Sequence, residues 1–292
     1  MLLLQQIING LMMGGIYVLV AVSFTLTIGV LNFLNFSIPG IFMLSAIMAW
    51  RALETGWHWG LAIPFGLLVA ICASFVVERF TYRFMKNVDH EIPLVSSIGF
   101  LILFENLVLV AWGSDQQKFP SLIPDLNIRA GGLIIGIGQM LSLALALLLV
   151  IGISLLLKRT QLGRGIRALA ENAETATLLG IEVHRIVPVL FVVTGLLTGI
   201  SGILFAMNYQ QVSAAMGDVV GLKGIAAMVI GGMGNIWGAI IGGLLIGLTE
   251  VLSIYFFGAD KVDFYVYGLF LVLIILRPQG ILGSSAATGV KL

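Results

Sequence analysis

The sequence predicts an all-α polytopic membrane protein, on three observations. Of its 292 residues 59% are hydrophobic and 10% charged, where a soluble domain is roughly 45–50% apolar and about 25% charged. The first charged side chain is Arg51, so the opening stretch exceeds the roughly 20 apolar residues that cross about 30 Å of hydrocarbon. Mean hydropathy is +1.09, and the polar residues collect in clusters between apolar runs. This composition excludes a soluble enzyme or binding module.

About eight spans are expected, each ending where charged or turn-forming residues appear. Ile7 to Leu31 carries no charge, and Ile38 to Trp50 stops at Arg51. Leu61 to Val77 lies between the GWHWG turn and Glu78, and Ile92 to Trp112 between Glu91 and Gly113-Ser114-Asp115. Leu133 to Leu157 ends at Lys158, and Val187 to Met207 follows Arg185. Trp237 to Phe257 follows a Gly-rich cluster, and Phe264 to Leu276 lies between Asp263 and Arg277. A further stretch, Leu222 to Gly234, is too short and too rich in Gly and Ala to span alone. It reads as a re-entrant or broken half-helix leading into the seventh span. The whole of 1–292 is expected to form one transmembrane domain with a polar linker at 158–186.

Lys and Arg concentrate in cytoplasmic loops near helix ends. Arg79, Arg83 and Lys86 follow the third span, and Lys158, Arg159, Arg164, Arg167 and Arg185 follow the fifth. Two crossings separate these linkers, so both face the cytoplasm and the uncharged amino terminus faces out. Arg277 and Lys291 then fall inside, provided that the 222–234 segment counts as a partial crossing. The opening MLLLQQIINGLMMGG lacks the basic region and cleavage site of a secretory signal and is expected to remain in the first helix. Trp50, Trp57, Trp59 and Trp112 cluster near outer span ends, as interfacial anchors do.

Many of the 36 glycines are spaced four apart: Gly10 and Gly14, Gly132 and Gly136, Gly195 and Gly199, Gly234, Gly238 and Gly242, Gly243 and Gly247. In lipid such spacing lets helix backbones approach closely. Packing within the chain is the plainer reading; a subunit interface or pathway wall is the other. Cys72, the single cysteine, is expected to pack as a small hydrophobe. Fifteen basic and fourteen acidic residues leave a net charge of +1, with no field to attract nucleic acid. No G-x-x-x-x-G-K-[ST] loop or dinucleotide fingerprint occurs, so any ATP must be bound by another chain. His58, His90 and His184 are scattered without metal-ligand spacing, and no G-x-S-x-G elbow is present. No metal, cofactor or enzymatic centre is expected.

The linker KRTQLGRGIRALAENAETATLLGIEVHRI has helical composition, with Ala168, Ala170, Ala173 and Ala176 beside Glu171 and Glu174, and Gly180 as a terminator. It is either a solvated helical linker or a docking element for a cytoplasmic partner. Glu174, Thr175, Ala176, then Gly180, Ile186 and Pro188 resemble the cytoplasmic loop of ABC importer permeases: Glu-Ala-Ala, three residues, Gly, and later Ile-x-Leu-Pro. Thr175 replaces the central Ala, and Ile186 and Pro188 come early and close together. Over nearly the whole chain, NGLMMGGIYVLVAVSFTLTIGVLNF, GRGIRALAENAETATLLGI, IGGMGNIWGAIIGGLLIGLTE and LRPQGILG resemble the LivH-type permeases of branched-chain amino acid ABC importers.

That resemblance implies a coupling helix on Glu174 to Gly180, with Arg167, Glu171, Glu174, Ala176 and Gly180 as the residues coupled to an ATPase subunit. It further implies a second homologous permease, two cytoplasmic ATP-binding subunits and a periplasmic or extracellular solute-binding protein. The expected mechanism is alternating access across a bacterial inner membrane. Where the family commonly reads Asn-Phe-Ala-His-Gly-Asp, this chain reads Asn35-Phe36-Ser37-Ile38-Pro39-Gly40. This departure bears on the solute, which is a branched-chain amino acid or, as in related systems, urea, an amide or an aromatic acid.

Two carboxylates lie within spans, Glu105 and Glu250. A charge near a helix centre costs about 2.5–3.5 kcal/mol on insertion scales, so such residues face an interior, a partner or water. Glu105 is read as the deeper, either lining the pathway or as a hydrogen-bonded interior group. Glu250, nearer a helix end, reads as structural. Asn32, Asn35, Ser96, Ser97 and Asn106 are candidate pathway contacts for a zwitterionic solute, or bridges between helices. The rival function is an ion-gradient-driven secondary transporter or channel with Glu105 as its relay.

Overall fold

The computed structural model describes residues 2–83, 91–122, 127–130 and 133–283; Lys86, His90, Gly132 and Lys291 lie outside these residues. Among them eleven α-helices run in order: α1 (Leu2–Leu31), α2 (Ser37–Glu54), α3 (Trp59–Val77), α4 (Glu91–Trp112), α5 (Ile137–Arg159), α6 (Gln161–Glu171), α7 (Ala173–Leu178), α8 (Val183–Tyr209), α9 (Met216–Gly231), α10 (Ile236–Phe257) and α11 (Val262–Leu276). A six-residue π-helical turn, Glu78–Arg83, extends α3. Strand β1 (Gln117–Lys118) pairs antiparallel with β4 (Gln211–Val212), and β2 (Asn127–Ala130) with β3 (Leu133–Gly136). Helix is what the composition demands, because a segment in hydrocarbon must satisfy its backbone internally.

Among the described residues six helical stretches are long and apolar enough to cross a membrane: α1, α3 with its π-turn, α4, α5, α8 and α10. Helices α2, α9 and α11 have 18, 16 and 15 residues. The multi-pass helical class therefore stands, and eight is an approximate count. Two boundaries differ from expectation. The fifth span begins at Ile137, because Leu133–Gly136 is a strand that pairs antiparallel with Asn127–Ala130, Ile135 in register with Ile128. The 222–234 stretch is the latter part of a separate helix, α9, which starts at Met216 and ends at Gly231. After the turn that follows α9, Asn235 Oδ1 caps α10 by accepting from the amides of Trp237 and Gly238 at 3.0 and 3.2 Å. Gly234 lies in that turn with φ +83° rather than on a helix face.

The chain divides into two compact units. One comprises Met1–Thr25, Ile123–Val150 and Leu222–Leu292. Within it α1 and α10 run antiparallel: a Cβ on Gly10 would lie 2.9 Å from Leu248 Cα, and one on Gly14 2.9 Å from Leu244 Cα. Gly231 and Gly238 bring α9 and α10 backbone to backbone. The segment after α11 returns here, Ile281 and Leu282 donating to the carbonyls of Ile230 and Gly231 at 2.8 and 3.0 Å. At these positions the glycine spacing serves packing within the chain.

The other unit comprises Leu26–Leu122 and Ile151–Gly221. In it α2, α3 and α8 pack on one another and α4 lies against α2. Buried hydroxyls stitch this core to carbonyls, Ser74 Oγ to Phe191 O at 2.6 Å and Ser45 Oγ to Gly199 O at 3.0 Å. Trp57 and Trp59 are exposed, as anchors would be, but Trp50 is buried. Cys72 is exposed rather than packed in the core. Apolar Val110 of α4 and Leu148 of α5 are 88% and 65% exposed. In water such surface costs about 25 cal/mol per Å², so these faces belong in hydrocarbon or against another chain.

Candidate functional site

Sequence reasoning singled out the polar segment between α5 and α8. Thr160 Oγ1 accepts from the Gly163 amide at 3.0 Å and starts α6. Helix α6 is amphipathic: Ile166 and Leu169 are buried while Arg164 and Arg167 face outward. Gly165 fits against Ile186 of α8, whose Cδ1 would lie 2.5 Å from an added Cβ. The Arg167 guanidinium donates to the Leu157 carbonyl, tying α6 back to α5. Asn172 then interrupts the helix, and its Oδ1 accepts from the Thr175 amide at 2.9 Å to start α7. Gly180, at φ +82°, closes α7 with its amide donating to Thr177 O and that of Ile181 to Ala176 O, both at 3.0 Å. Nothing lies within 4 Å of an added Cβ there, so glycine is required for the left-handed backbone alone.

The five predicted coupling residues thus separate. Glu171 and Glu174 are exposed, Arg167 is exposed but bound to α5, Ala176 is buried, and Gly180 shapes the turn. Sequence reasoning missed Leu178 and Leu179, which stand 83% and 76% exposed at the tip, one turn from Glu174. The tip is thus a pair of exposed leucines flanked in sequence by the acidic Glu174 and Glu182. On the α8 side Glu182 pairs with Arg185 and lies 3.6 Å from His184.

A second site forms where α1 breaks before α2. Asn32 adopts φ +57° and is exposed. Asn35 is buried, its Oδ1 accepting from the Ser37 amide at 3.1 Å and the Ser37 hydroxyl at 2.6 Å. Its Nδ2 finds no partner among the described residues. Ser97 of α4 reaches the same break, accepting from the Phe36 amide at 3.0 Å and donating to Leu94 O at 2.7 Å. Ser96 instead meets Thr81 of the π-turn, hydroxyl to hydroxyl, at 3.2 Å. Glu105 is half-buried, with one carboxyl oxygen unpartnered among the described residues, and its carboxyl lies against that of Asp218 at the start of α9. Asn106 is exposed and folds back onto Ile102 O at 2.8 Å. Of the six candidates, Asn32 and Asn35 lie in this break and Ser97 bonds its backbone, while Ser96, Glu105 and Asn106 lie elsewhere on α4.

An ionic cluster was missed. Lys223 of α9, its side chain 4% exposed, places Nζ 3.2 Å from Glu250 Oε1 and 3.7 Å from Asp263 Oδ1. The Tyr17 hydroxyl donates to Glu250 Oε2 at 2.5 Å, and its ring lies 5.9 Å from Nζ. The structure therefore buries Glu250 more completely than Glu105 and gives it a cation. The available signal was a lysine and a glutamate in separate apolar stretches, each needing a partner. No cluster of three or more His, Cys, Asp or Glu able to hold a metal ion occurs among the described residues.

Residues 6–276 match the family model described as the permease component of branched-chain amino acid transport systems. The chain is 33% identical over 293 residues to the high-affinity branched-chain amino acid transport system permease protein BraD of Pseudomonas aeruginosa, covering 96% of this chain and 95% of that one. It is 29% identical over 299 residues to LivH of Escherichia coli, described in the same words, with 96% and 95% covered. An autoinducer 2 import system permease protein, LsrC of Yersinia enterocolitica, is 29% identical over 247 residues, covering 82% of this chain and 65% of its own.

Proposed function

The chain belongs to the family of branched-chain amino acid transport permease components, and on that premise we propose that it is the membrane-spanning subunit of an ABC importer for branched-chain amino acids. The observation that carries this reading is the 160–182 segment. It is anchored to α5 through Arg167 and to α8 through Gly165. It also presents an exposed Glu174, Leu178 and Leu179 tip that the fold itself does not use. In the proposed assembly, in a bacterial inner membrane, this tip sits in a cleft of a cytoplasmic ATPase subunit. A second permease and an external solute-binding protein complete the importer. Closing of the ATPase pair moves α6 and α7, and α8 passes that movement to α2 and α3, against which it packs.

Reconstituted with its partners, the importer takes up labelled leucine only with ATP inside the ATPase compartment and is insensitive to ionophores. Uptake that collapses with an ionophore and ignores ATP overturns this reading. Glu105→Gln removes one of two opposed carboxyls; if Glu105 lines the pathway, uptake changes several-fold at unchanged protein level, and unchanged uptake makes it structural. Orientation is tested by Trp57→Cys and Arg164→Cys, each in a Cys72→Ser background since Cys72 is exposed. With the amino terminus outside, only position 57 reacts with an impermeant thiol reagent in intact cells. Reaction at position 164 instead inverts the topology.

A further inference from the structure

The π-turn after α3 contains a buried charge that neither the docking segment nor the pathway candidates account for. Glu78 is 3% exposed, and its Oε2 has no hydrogen-bond partner among the described residues. A buried carboxylate oxygen without a hydrogen bond is unfavourable, and such a group calls for an explanation, one of which is its use in another state of the molecule. The carboxylate borders a cavity lined by Tyr82 and Arg83 of the same turn and by Val183, His184 and Val187 at the start of α8. Arg79 and Arg83 both attract Glu78, but only Arg83 lines the cavity, and neither forms an ion pair with it among the described residues.

The π geometry explains this arrangement. At 3.6 residues per turn, residues five apart in an α-helix point about 140° away from each other. A π-turn, which closes on i to i+5, turns less per residue and brings them nearer to one side of the helix. Glu78 and Arg83 are five apart. The turn also lies between two working parts of its unit. Across the cavity is the first turn of α8, which follows directly from the docking segment and seats Gly165 on Ile186. On its other side Thr81 bonds Ser96 of α4 at 3.2 Å, beside the Ser97 that holds the α1–α2 break.

We propose that Glu78 and Arg83 form a state-dependent ion pair: the guanidinium closes into the cavity onto the free Glu78 oxygen when the start of α8 moves, and so transmits docking-segment movement to α4. Glu78 and Arg83 are positioning residues, and the proposal rests on the importer reading above. The test uses the complete importer in proteoliposomes, measuring solute moved per ATP hydrolysed for Glu78→Gln, Arg83→Gln and the double variant. Glu78→Gln keeps shape and an acceptor oxygen and removes only charge. Each single variant assembles and hydrolyses ATP but moves at least about fivefold less solute per ATP. The double variant is no worse than either single one, because both remove the same interaction. An unchanged ratio in the single variants, or losses that multiply in the double variant, overturns the proposal. So does a Glu78→Gln variant that only lowers the yield of assembled importer. If the unmodified protein takes up solute without ATP, it is the importer reading that fails instead.

Discussion

Glu174→Lys combined with Leu178→Asp abolishes uptake while the chain still inserts, assembles its helices and reaches the membrane in normal amount. Glu174 and Leu178 are exposed, so surface substitution there leaves stability within about 0.5 kcal/mol. Against a docking partner the same changes put a reversed charge and a desolvated carboxylate into the interface, which costs several kcal/mol. Each roughly 1.4 kcal/mol is tenfold in affinity, so coupling is lost. The check is uptake set beside membrane protein level and co-purification of the ATPase. Normal uptake shows that the tip is an inert linker, and loss of the chain from the membrane shows that it is structural.

Lys223→Met or Glu250→Gln alone destabilises the protein by about 3–5 kcal/mol, because each strands a buried charge or polar group whose partner is gone. The cluster ties together α1 through Tyr17, α9 through Lys223, α10 through Glu250 and α11 through Asp263. Lys223→Met with Glu250→Met removes both charges at similar volume and returns most of the stability, as replacement of a buried pair by packed apolar residues does. Asp263→Asn has little effect, since Asp263 is 68% exposed and exposed pairs contribute about 0–1 kcal/mol. Thermal unfolding of the detergent-solubilised chain, followed by size-exclusion, reads all four. Equal stability of the single variants and the parent contradicts the geometry.

The long apolar runs were legible because hydrocarbon leaves the backbone one choice. Helices α4, α8 and α10 match their expected spans to within a few residues. Helix α9 was misjudged because Asp218 and Lys223 interrupt its apolar run and its glycines lower its apparent span. Their partners, Glu105 and Glu250, lie in other helices. Leu133–Gly136 was absorbed into the fifth span because four apolar residues have no period to separate strand from helix. Gly180 was read correctly as a terminator, since a helix end that needs positive φ selects glycine. That Ala176 is buried was not legible, because position in a motif says nothing about which side of a six-residue helix is buried. The π-turn at Glu78 has no compositional mark at all; its contacts beyond α3 are with α4 and α8, which lie elsewhere in the sequence.

The central claim is that this permease works only with an ATPase docked on the 160–182 segment. Gentle detergent extraction of the tagged chain from its native membrane, with identification of the co-purifying proteins and an ATPase assay on the eluate, tests it most directly. A P-loop ATPase is expected in the eluate, with hydrolysis that the Glu174→Lys, Leu178→Asp variant loses. Recovery of the chain without an ATPase, with uptake following an ion gradient, contradicts it and makes Glu105 and Asp218 the centre of a secondary transporter.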